Sequence, residues 1–184
     1  MTTEEYTQLK AFARIDGILV ALLWTASFAC YIGGMAHPAL MIVGMGAAVS
    51  TPFFVFSRLR RFRDSILDGK LSFVRGYLYS AHTFLYAALL FALAQFVYFQ
   101  FIDQGYLLSK VAEVLSDPVT ERTIREAGMR QAVDETLRTM WQTRPIDYAL
   151  SYFSSNIIIG LLLALPIAAV AKRADRQDRL PGQE

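Results

Sequence analysis

Between Gly17 and Ser57 the chain contains no Asp, Glu, Lys or Arg. A helix crossing a bilayer needs about 20 apolar residues at roughly 1.5 Å each. This tract is long enough for two crossings. Gly33-Gly34-Met35-Ala36-His37-Pro38 divides it, and glycines with a proline suit a tight turn at a membrane edge. Two further tracts lack full charges, Gly76 to Ile102 and Tyr148 to Ala171. In water such runs would expose far too much apolar surface, so a bilayer is the expected solvent. Charged residues make up only 18% of the chain, below the soluble norm of about 25%.

The expected fold is an all-α integral membrane four-helix bundle, with an extracytoplasmic helical hairpin between spans three and four. One domain covers residues 1–184. Its spans lie at about 15–36, 38–57, 73–101 and 148–171. A basic loop (58–72), a polar helical segment (103–147) and a basic tail (172–184) complete it. The stretch before the first span mixes Glu4, Glu5 and Asp16 with Lys10 and Arg14. It lacks the basic region of a signal peptide, so the first span is expected to be permanent.

Lys and Arg set orientation. The N-terminal stretch, the 58–72 loop with Arg75, and the tail carry twelve of them; the opposite side carries six. Eight acidic residues on each side leave +4 and −2. The richer side is expected to face the cytoplasm, with both termini there.

Arg58, Arg60, Arg61 and Arg63 crowd into one short stretch. They serve first as a topology lock. They also suit anionic lipid headgroups, at roughly 1 kcal/mol each, or an acidic partner. Asp68-Gly69 marks a turn. Ser72 can cap the third span, Leu71 and Phe73 are expected to point to the bilayer surface, and Gly76 admits a close helix.

The segment "DGKLSFVRGYLYS" resembles the G-x-[I/L]-[S/T]-F stretch of a bacterial membrane-protein family, domain of unknown function 4199. The order of parts is also similar: an apolar hairpin, Arg58 to Arg63, Leu71-Ser72-Phe73, Asp117-Pro118, and Ile157 to Arg173. The resemblance covers residues from about 10 to 173. It implies an inner-membrane protein of a Gram-negative envelope and implies no activity.

Asp117-Pro118 is expected to end one helix and start another. The second runs over about 119–142, with Val133, Leu137, Met140 and Trp141 on one face. Glu121–Arg125 and Glu126–Arg130 have favourable i,i+4 spacing. Gly17, Ala21 and Thr25, then Gly44, Ala48 and Pro52, then Gly160, Ala164 and Ala168 form packing stripes.

Within the spans His82, Gln95 and Asn156 stand out. Intramembrane ionisable groups are costly and point to function. A neutral His82 bonded to a neighbouring helix is the plainer reading, and Gln95 with Asn156 would then be interhelical glue. No Asp or Glu is expected inside a span, which removes the usual carboxylate pair. Cys30 is the single cysteine, so no internal disulfide forms. No metal, no cofactor, no nucleic-acid partner and no enzymatic activity are expected.

The function these features favour is a non-catalytic accessory or scaffold subunit of an envelope complex. Its partners would be membrane lipids and an envelope protein, one class being enzymes acting on polyprenyl-phosphate sugars. The alternative is a small transporter or lipid-binding protein, a homo-oligomer, working through His82 and Asn156.

Overall fold

A computed structural model describes residues 1–172; Arg173, Arg176 and Arg179 of the basic tail lie outside them. Seven α-helices follow in order: α1 (Thr3–Gly34), α2 (Pro38–Ile66), α3 (Phe73–Val97), α4 (Tyr106–Leu115), α5 (Pro118–Glu126), α6 (Arg130–Gln142) and α7 (Pro145–Ala171). A π-helical turn, Tyr98–Ile102, continues α3. Four helices are long and apolar enough to cross a membrane: α1, α2, α3 with its π-turn, and α7. The chain divides into two compact units. One is Met1–Phe91 with Tyr152–Glu184, and the other is Ala92–Ser151.

The first unit departs from expectation at its charged end. Helix α1 begins at Thr3, well before the apolar tract. Thr2 and Glu5 start it by reciprocal capping: the Glu5 N–H donates to Thr2 Oγ1 at 3.2 Å, and the Thr2 N–H donates to Glu5 Oε2 at 2.8 Å. Leu9 and Ala13 are fully buried, so the helix keeps a core face across its charged turns. Helix α2 likewise runs on to Ile66 because Val55, Leu59 and Phe62 continue its buried stripe. The expected loop 58–72 is therefore mostly helix, and Arg58 to Arg63 sit on α2. Only the stretch after Leu67 turns. There Asp68 (φ 49°) and Gly69 (φ 79°) are left-handed, as Asp-Gly allows. Ser72 Oγ then accepts the Arg75 N–H at 3.3 Å. Leu71 is not at the surface: it packs into the core, 2% exposed.

Helices α1 and α2 form an antiparallel hairpin clasped at successive levels. Ser27 Oγ donates to the Gly44 carbonyl at 2.7 Å, and Trp24 Nε1 donates to Thr51 Oγ1 at 3.0 Å. Phe12 meets Phe62 at 5.3 Å between ring centroids. Lipid provides no hydrophobic drive between helices, so close packing and such bonds hold them. Thr51→Val keeps the shape and removes the acceptor. It is expected to cost about 0.6 kcal/mol, the average for an interhelical bond in a membrane protein. Thermal unfolding in detergent should show a fall in Tm of about 1–3 °C.

Glycine makes two of the closest approaches. A Cβ on Gly17 of α1 would stand 2.7 Å from Tyr86 Cβ of α3, and one on Gly160 of α7 would stand 2.6 Å from Phe84 Cβ of α3.

The second unit carries two breaks. Gln104 (φ 45°) and Gly105 (φ 85°) separate the π-turn from α4. Gly128 (φ 68°) splits the helix expected over 119–142 into α5 and α6. Asp117 caps α5 by accepting the Val119 and Thr120 N–H groups, with Pro118 in the first turn. Glu121 pairs with Arg125 at 2.9 Å as expected. The Glu126–Arg130 pair does not form, because the break rotates Arg130 away. Arg130 bonds Glu121 and Asp134 instead, and Glu126 bonds Arg122. Val111 and Leu115 of α4 share an apolar groove of about 200 Å³ with Val133, Leu137 and Met140 of α6. Val133, Leu137 and Met140 of the expected apolar face therefore meet α4.

Candidate functional site

The charged end of the first unit holds a buried polar network. Asp16 lies on α1 at 2% exposure, between Ala13 and Val20 on the core face. Its Oδ1 accepts Arg58 Nε of α2 at 2.5 Å, and its Oδ2 accepts the Tyr79 hydroxyl of α3. One carboxylate thus joins three helices. The expectation that no acidic side chain lies inside the bundle is corrected here. Asp16 is not the last residue of a solvated leader, because α1 is already packed at that level. A buried carboxylate is costly unless paired and hydrogen-bonded, and this one is both. Tyr79 is itself fully buried, stacked on Phe62 at 5.0 Å.

The four clustered arginines have different fates. Arg58 is taken by Asp16. Arg63 is buried; its Nη1 donates to the Ala171 carbonyl of α7 at 3.0 Å, and its Nε donates to Asp64 at 2.7 Å. It thereby ties α2 to the last residue of α7. Arg60 and Arg61 are exposed. Arg60 lies 5.9 Å from the Phe56 ring centroid. Arg14 on α1 is exposed as well. In the hairpin register all three belong near the level bounded by the Phe12–Phe62 and Asp16–Arg58 contacts. The structure thus sorts the arginines into two that tie helices together and two that join Arg14 on the surface.

Ser72 is exposed at the start of α3, and Phe73 is 37% exposed and stacks on Tyr77 at 6.3 Å. Next to them, Arg75 pairs with Glu5 of α1.

His82 is bound on both ring nitrogens. A carbonyl can only accept, so Nδ1–H donates to the Leu78 carbonyl at 2.7 Å. Nε2 then accepts the Tyr6 hydroxyl of α1 at 3.1 Å. Lys10 Nζ lies 4.7 Å from the centroid of the same Tyr6 ring. Gln95 falls in the second unit and Asn156 in the first. Buried Gln95 Oε1 and Asn156 Nδ2 each lack a hydrogen-bond partner. So does Ser80 Oγ.

Sequence reasoning missed Asp16 and Tyr79. A signal for Asp16 existed: Asp16 and Arg58 are equidistant from His37 in the turn. Any antiparallel hairpin folded there brings the two charges level.

Residues 16–173 match the model of a family described as "Protein of unknown function (DUF4199)". No curated protein and no solved structure matches the chain.

Proposed function

Because the chain belongs to the DUF4199 family, which brings no activity with it, we propose from its own geometry that it is a non-catalytic accessory or scaffold subunit of an inner-membrane complex. One observation carries this reading. Arg14, Arg60 and Arg61 stand exposed at one level of the α1–α2 hairpin, while Asp16, paired with Arg58, and Arg63 fix that hairpin to α3 and α7. Among the described residues no acidic side chain pairs with these three cations, and on a braced frame they suit an acidic protein surface or anionic headgroups at the cytoplasmic leaflet. Positive groups there gain roughly 1 kcal/mol apiece. In this reading both termini are cytoplasmic, and an enzyme acting on polyprenyl-phosphate sugars is one class of partner.

The triple variant Arg14→Gln, Arg60→Gln, Arg61→Gln tests it. Purified in mild detergent, it should lose the protein or anionic lipid that accompanies the native chain, with Tm unchanged. Retention of both at native levels would remove the basis for the proposal. Reporter fusions near residues 65 and 125 should read opposite compartments.

A second reading, a small oligomeric transporter or lipid-binding protein, draws on the unpartnered atoms of Gln95 and Asn156. His82 serves it less well, since both its nitrogens are engaged within the helices. His82→Leu should leave a scaffold assembled and abolish a transporter.

A further inference from the structure

The second unit contains a cavity that the arginine surface does not use. It measures about 160 Å³, and its walls include Phe99 of the π-turn, Trp141 of α6 and Tyr148 of α7. The Phe99 and Tyr148 rings stack at 5.0 Å and 25°. The Tyr148 hydroxyl donates to the Met140 carbonyl at 2.8 Å, which ties α7 to the end of α6. Trp141 reaches across Gly105, whose missing side chain would stand 3.8 Å from the indole.

Asp103 completes the lining. It is 7% exposed. Its Oδ2 accepts the Gly105 N–H and its Oδ1 accepts the Leu107 N–H, each at 3.1 Å, and the Tyr98 hydroxyl bonds to it as well. Every one of these donors is neutral. Among the described residues no Lys, Arg or His forms an ion pair with Asp103, unlike Asp16 in the other unit. Such a carboxylate has dipolar partners but no counter-charge beside it among the described residues. Aromatic faces are negative as well, and rings gathered around a space of this kind attract cations. A π-turn is rare and often marks a functional site. Here it sets Phe99 and Asp103 together, since the Asp103 N–H bonds back to the Tyr98 carbonyl at 2.9 Å.

We propose that this cavity binds an organic ammonium group, with Asp103 as counter-ion and Phe99, Trp141 and Tyr148 as its aromatic walls. The volume is close to that of a cavity known to admit benzene, about 150 Å³, which suits a tetramethylammonium or choline head. Such a group comes either from a zwitterionic lipid headgroup or from a free amine.

The full-length protein, delipidated in detergent, is titrated with choline chloride against a sodium chloride control, and binding is followed by saturation-transfer NMR of the choline methyl signal. Saturable binding is expected. Trp141→Ala should weaken it about tenfold through loss of a cation–π face. Trp141 is 55% exposed, so its truncation removes little core. Asp103→Asn keeps one cap acceptor and removes the charge, and should weaken binding at least as much. Absence of saturable binding would overturn the proposal, as would a Kd in both variants unchanged from that of the native protein. Discs of phosphatidylethanolamine and of phosphatidylglycerol separate the sources. Suppression of choline binding in the former alone identifies the lipid headgroup; equal binding in both identifies a free amine.

Discussion

Arg58→Leu is expected to cost the first unit about 3–5 kcal/mol, the range for stripping one partner from a buried ion pair. In a protein of this size that lowers Tm by roughly 10 °C. The reason is asymmetric burial. The Asp16 side chain is 3% exposed and the Arg58 side chain 25%. Without Arg58 the carboxylate stays inside with only the Tyr79 hydroxyl as donor. Without Asp16, the long arginine stem can carry its head toward water. Asp16→Asn should therefore be much milder, and combining the two substitutions should recover part of the Arg58→Leu loss. Thermal unfolding of the three variants in one detergent measures this. Equal losses in both single variants would show that Asp16 and Arg58 contribute by packing alone.

Gly160→Leu is expected to be comparably damaging for a different reason. A Cβ there falls 2.6 Å from Phe84 Cβ and 2.8 Å from its Cγ. Phe84 is 1% exposed and has nowhere to retreat. Overpacking costs about 1–3 kcal/mol when side chains can adjust; here α7 itself must move off α3. The expected result is a Tm loss of several degrees with faster proteolysis. Gly46→Leu is the control, because a Cβ at Gly46 meets nothing within 4 Å. A Gly160 variant as stable as the Gly46 variant would mean that α3 and α7 do not approach this closely.

Much of this was legible in the chain. Charge-free tracts exposed four membrane-length helices, and Gly17, Gly44 and Gly160 announced tight packing through their spacing with small residues. Asp68-Gly69 and Asp117-Pro118 marked real boundaries. Helix ends at the charged side were not legible, because charged side chains ordinarily mark solvent-exposed chain. Residues 3–16 and 58–66 alternate charged and apolar side chains at helical spacing, and a helix can bury one face while wetting the other. The network was hidden for the same reason. Arg58 and Arg63 share a run with Arg60 and Arg61, and composition treats all four alike. Only the rotation of α2 separates those that turn inward from those that do not. The Gly128 break was not legible because a lone glycine inside a periodic stretch is often tolerated.

Helices α4, α5 and α6 span 10, 9 and 13 residues. Peptides that short are marginal helices in water, so none of the three is self-supporting. Each persists through the cover its neighbours give it. Anything that slips between α4 and α6 would unravel the segment in concert, which makes the stretch between the third and fourth long helices a single cooperative element.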